Sequence, residues 1–202
     1  MWSALQRHPK KCMSPTPHRS EDTSAPPKFS PGLVESDEIV LRTVWDPDHL
    51  EADGKLKVAT AISLKDIKTR GWSVDRKQYT NYRKMKELHE DWQTTKPHIQ
   101  RFHILPVSVR EIRQIVLPSQ LMTFVVIDCA ECLRPSHAGV LLSGICGDGL
   151  ARQFRNKLLE KLPQYTELER VFAPTDKNGY RTGLKRQLLA YVRWCFHWLF
   201  RN

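Results

Sequence analysis

Residues 101–162 restrict the fold of this chain more than any other stretch. They read strand, helix, strand, turn, strand, helix and hold its most apolar sequence. Residues 101–105 are a short extended run that Pro106 stops. A helix start follows: Ser108 can cap the amide of Glu111, whose carboxylate can reach back, with Val107 and Ile112 flanking the cap. Ile112, Ile115 and Val116 share one face, and Pro118 ends the helix. Residues 121–127 are apolar, β-branched and too short for a typical helix, which predicts a strand buried on both faces. The polar, proline-bearing residues 129–135 predict a turn, and residues 137–143 a strand running back antiparallel. After the glycine-rich residues 144–149, with Asp148 as a cap, Leu150, Ala151, Phe154, Leu158 and Leu162 recur at helical spacing. A sheet carrying helices is the simplest way to bury these parts. The expected class is α+β: a small mixed or antiparallel sheet packed by two or three helices.

Residues 1–37 hold six of the thirteen prolines among Ser, Thr and charged residues, and read as a disordered leader. The core is expected over residues 38–173. It opens with a strand at 38–45, a second strand at 56–61, and a short helix capped at Ser63 and ended by Gly71. Tyr79, Tyr82, Met85, Leu88 and Trp92 recur every three or four residues, predicting a helix over 75–93, and residues 166–173 predict a last strand. Residues 174–202 end in a hydrophobic helix from 183 that mixes Trp, Phe and Leu with Lys and Arg.

Lys and Arg outnumber Asp and Glu by 32 to 22, a net charge of +10, which favours anionic partners: nucleic acid, an acidic protein or an anionic membrane surface. Five scattered cysteines make no disulfide framework and fit a reducing cytoplasm. The N-terminus lacks the apolar core of a signal peptide, and no run is long enough to span a bilayer as a helix.

Several patterns carry possible chemistry. Cys129 and Cys132, with His137 five residues on, have the spacing of zinc ligands, but no second such pair exists; Cys146, His103 or water would have to complete the set. Ser136 and His137 adjoin on a strand and so point to opposite faces, which leaves a catalytic His137 needing a distant partner such as Asp128, Ser73 or Arg42. Residues 144–149 resemble a phosphate loop but lack its Lys-Ser/Thr, and Asp148 would repel phosphate. Arg70, Trp72, Arg76, Lys77, Arg83, Lys84 and Lys86 interleave cations with aromatics, as in surfaces that pair phosphates and stack bases. Arg152 and Arg155 extend that basic rim onto the helix after residue 148.

The expectation is a basic, non-catalytic accessory subunit with no cofactor. It would contact nucleic acid or an acidic partner through residues 70–86 and dock on another protein, or a second copy, through its C-terminal helix. The alternatives are a small enzyme with a polar site around His137, Ser73 and Arg42, or an effector that meets a membrane surface through residues 184–202.

Overall fold

The structure, a computed structural model, describes residues 30–118, 120–130 and 134–172. In chain order these form β1 (Ile39–Asp46), α1 (Val58–Ala61), a π-helical turn (Asp66–Arg70), β2 (Trp72–Arg76), a 3-10 turn (Lys77–Tyr79) and α2 (Tyr82–Thr95). There follow β3 (Arg101–Ser108), α3 (Val109–Arg113), β4 (Phe124–Asp128), β5 (His137–Leu142), α4 (Asp148–Lys161) and α5 (Leu168–Val171). The five strands make one antiparallel sheet in the order β3-β1-β2-β5-β4. The α+β class is therefore the observed one.

Strand alternation divides the sheet into two faces. Val40, Trp72, Val74, Phe124, Val140 and Leu142 point to the first, where α3, α4 and the π-helical turn add Ile112, Phe154, Leu158 and Ile67. Phe124 and Phe154 meet edge-on at 5.8 Å. Each large side chain so buried contributes about 1.5–3 kcal/mol. On the second face, Leu41 and Ile104 pack under Met85 of α2 and Leu168 and Val171 of α5.

Local chemistry explains most boundaries. Ser108 accepts from the Glu111 amide at 3.4 Å, the expected cap of α3. Asn81 caps α2 by accepting from the Lys84 amide. Gly71, at φ +88°, turns the chain from the π-helical turn into β2, a conformation other residues rarely adopt.

Four elements differ from the sequence expectation. Pro106 does not stop β3, because β3 is an edge strand and its missing amide can face outward. Residues 58–61 form a helical turn rather than a strand, and residues 168–171 likewise, with only Leu56 and Thr166 making isolated bridges. The helix of residues 75–93 begins at Tyr82, and residues 72–76 are instead a central strand. Its buried face is Met85 and His89 rather than Leu88, because Nε2 of His89 meets the Thr43 hydroxyl at 3.1 Å and its ring packs on Phe102. The predicted C-terminal helix and residues 1–29 lie outside the described residues.

The sheet is pinned by Arg76, which is 1% exposed. Its Nε and Nη2 donate to Glu38 at 2.8 and 2.5 Å, and Nη1 donates to Asp128 at 3.2 Å. Nη1 and Nη2 also reach the carbonyls of Gly32 and Leu33 at 2.7 and 2.9 Å. All five donors are used. Residues 30–38, read from the sequence as the end of the leader, are thereby tied to β2 and β4. Arg113 adds a bond to the Val34 carbonyl, and Ser30 donates to Asp128.

Removing only the cation strands two carboxylates in the interior. Arg76→Met should cost about 3–5 kcal/mol in urea unfolding at pH 7, the range for breaking a buried pair. A cost under 1 kcal/mol would show that the clasp does not hold the fold.

Burial pushes the His89 imidazole down to about 3, with Asp75 and Arg134 as opposing minor influences. The folded state therefore refuses a proton that the unfolded chain accepts below about pH 6.5. Stability from this residue is intact above that pH and falls by about 1.4 kcal/mol per unit as acid is added towards pH 4. His89→Phe should flatten the wild-type pH slope over that window by about this amount; an unchanged slope would contradict the assignment.

Candidate functional site

The site begins where β1 leaves β2. β1 pairs with β3 along its whole length, but with β2 only at Val40–Arg76 and Leu41–Asp75. Beyond Leu41 the ladder opens, and the Arg42 side chain fills the gap. Its Nη1 donates to the Ser73 carbonyl at 2.9 Å and Nη2 to the Ala61 carbonyl at 3.4 Å. The guanidinium lies 5.5 Å from the centre of the Trp72 ring, which is fixed by its own bond to the Ala61 carbonyl at 2.7 Å. The Nε of Arg42 is shielded and has no partner.

On the second face of β2 stand Ser73 and Asp75. Ser73 pairs across the strand with Gly139, which places no side chain opposite its hydroxyl. His137 lies diagonally across, and its Nε2 is 3.0 Å from Ser73 Oγ. Asp75 is the direct cross-strand partner of His137. Both Asp75 oxygens are engaged: Arg134 donates to them at 2.8 and 2.5 Å, and the Ser136 hydroxyl adds a bond at 2.9 Å. The loop entering β5 is thereby clipped to β2, which fixes the position of His137.

Charge at the site follows from burial and pairing. Burial works to raise the Asp75 carboxyl, but the Arg134 fork, with His137 and Ser136 beside it, holds it below the ordinary carboxylate range. Burial lowers the Arg42 guanidinium to about 10, against the pull of Asp66 and with help from Arg134. Burial, and next Arg42, lower the His49 imidazole to about 4. A Ser–His pair with a carboxylate beside it is the arrangement that activates a hydroxyl for attack, the histidine taking its proton.

Of the three residues singled out as a possible catalytic set, the structure brings Ser73 and His137 together on the second face, whereas Arg42 lies on the first face beside Trp72 and reaches Ser73 only at its carbonyl. It does not assemble the basic-aromatic interface. Trp72 and Arg76 are each 1% exposed, Trp72 within the apolar core and Arg76 paired with Glu38 and Asp128. Neither can reach a phosphate or a base. Arg83, Lys84 and Lys86 are exposed on α2, but Glu87, Glu90 and Asp91 match them on the same helix, with Arg83–Glu87 at 2.7 Å and Lys86–Glu90 at 3.7 Å. Arg152 and Arg155 sit on α4, across the sheet from α2, so they do not extend the basic rim of α2. Arg70 is exposed and Lys77 half-buried.

Of the suggested zinc ligands, Cys132 lies outside the described residues. Cys129 is buried with its thiol at the Ile127 carbonyl, and Nε2 of His137 meets Ser73. Among the described residues no group of three or more His, Cys, Asp or Glu is placed to hold a metal ion. In the glycine-rich residues 144–149, Asp148 pairs with Lys68 instead of capping α4, whose N-cap is Gly147.

Asp75, Arg134 and Ser136 belong to the site, and sequence reasoning does not single them out as its members. A signal exists for Asp75, since a strand over 72–76 puts it on one face with Ser73. No family model, curated protein or solved structure matches this chain. Among the described residues no helix is long and apolar enough to cross a membrane.

Proposed function

We propose that the protein is an enzyme of nucleophilic group transfer that cleaves an ester-type bond through a covalent intermediate on Ser73. The observation that carries this is the 3.0 Å approach of Ser73 Oγ to His137 Nε2, on a strand position left open by Gly139. Ser73 Oγ attacks the electrophilic carbonyl carbon as His137 takes its proton. The tetrahedral adduct collapses, and the same proton goes to the leaving oxygen. Water, activated by His137, then cleaves the acyl–serine bond and regenerates both groups. Asp75 stabilises the imidazolium from across the strand, and Arg134 and Ser136 hold Asp75 in place.

The test is covalent labelling of the full chain with a fluorophosphonate. One adduct on the Ser73 peptide is expected, absent in Ser73→Ala and formed about 10²–10⁴-fold more slowly in His137→Ala, the usual contribution of a general base. Folded protein that forms no adduct at Ser73 would rule the nucleophile out.

A second reading is favoured by where the charge lies. The described residues carry 21 Lys and Arg against 18 Asp and Glu, whereas residues 1–29 carry five against two and residues 173–202 six against one. Binding to nucleic acid or another polyanion therefore belongs to the two ends of the chain and would recruit the enzyme to its substrate or partner. Replacing Lys185, Arg186, Arg193 and Arg201 with Gln should weaken binding to single-stranded DNA. The same change should flatten the salt dependence by about 0.7 for each phosphate no longer neutralised. Replacing Arg83, Lys84 and Lys86 should change little; the reverse ranking would return the interface to α2.

A further inference from the structure

The interior arginines of the sheet differ in how they are neutralised. Arg76 meets two carboxylates and uses every donor, and Arg134 forks onto Asp75. Arg42 meets only two neutral carbonyls, one of them at 3.4 Å. No carboxylate among the described residues lies within ion-pair distance of it; Asp66 acts on it only from farther away. A guanidinium taken out of water with carboxylates only at a distance and no ion-pair partner is expensive, so its retention calls for a role.

The surroundings suit an anion. The guanidinium lies 5.5 Å from the Trp72 ring centre, and unused N–H donors remain on Nη1 and Nη2. Through Nη1 the guanidinium touches the backbone of Ser73 itself. The guanidinium belongs to the first face with Trp72, whereas the Ser73 hydroxyl points to the second, so β2 lies between an anion held there and that hydroxyl.

We propose that Arg42 forms an oxyanion-binding site on the first face of the sheet, across β2 from Ser73, and that it takes a phosphate or a carboxylate. This binding does not depend on Ser73 being a nucleophile. A guanidinium fork matches both oxyanions, and a lysine in its place would supply charge without the fork.

The test titrates the full chain with inorganic phosphate and, separately, acetate, at constant ionic strength, followed by calorimetry. Saturable binding of one of them is expected, weakened at least tenfold in Arg42→Gln and retained in Ser73→Ala and in the Lys185, Arg186, Arg193 and Arg201→Gln chain. Should Arg42→Gln fail to fold, Arg42→Lys decides, with about tenfold weaker binding expected from loss of the fork. Wild-type affinity in a folded Arg42 variant, no saturable binding of either anion, or binding lost with the C-terminal charges would overturn the proposal. Anion binding that needs Arg42 in a protein that no fluorophosphonate labels would retire the nucleophile and leave the subsite standing.

Discussion

The Arg76 guanidinium, sealed among Glu38, Asp128 and the carbonyls of Gly32 and Leu33, is the interaction on which the arrangement depends. It sits at the end of β2 and joins three separate pieces of chain: the strap of residues 30–38, β2 and β4. Burying an ion is costly, and only a complete set of partners offsets it. β2 is also the middle strand of the sheet, and the clasp fixes the register from which Ser73, Asp75 and their neighbours on β5 follow.

Polar groups inside this sheet fall into two kinds. Arg76 and the Asp75–Arg134–Ser136 clip are satisfied to the last donor or nearly so, and their bonds tie loops to strands. Arg42 is incompletely used, its Nε having no partner, and it sits where β1 and β2 part. Saturated networks specify structure, whereas an unsatisfied one in the same interior needs a ligand or a reaction to account for it. This contrast motivates the proposed anion site at Arg42, while the proposed nucleophile rests on the 3.0 Å contact of Ser73 with His137.

Much of the fold was legible where periodicity and local capping agree. Residues 124–128, 137–142 and 148–161 show clear strand or helix spacing, and the Ser108 cap of α3 was readable from four residues. β2 was not legible as a strand. Trp-Ser-Val-Asp-Arg looks like part of a charged helix, because its Asp and Arg are neutralised by Arg134, Glu38 and Asp128, which are distant in sequence. The same long-range pairing removed Arg76 from the expected basic surface. His89 replaced Leu88 on the buried face of α2 for a similar reason, a Thr43 hydroxyl supplied by β1. The candidate site was half legible: Ser73 and His137 could be named, but Arg42 falls on the other face of the sheet, and the clip that positions His137 depends on a loop closing over β2.

The most direct measurement compares the urea-unfolding free energies of Arg42→Met and Arg76→Met at pH 7. If Arg76 is structural and Arg42 is held for a ligand, the first change costs no more than about 1 kcal/mol or stabilises the fold, while the second costs several. Equal, large losses at both positions would show Arg42 to be a second structural clasp and would contradict the account of the site.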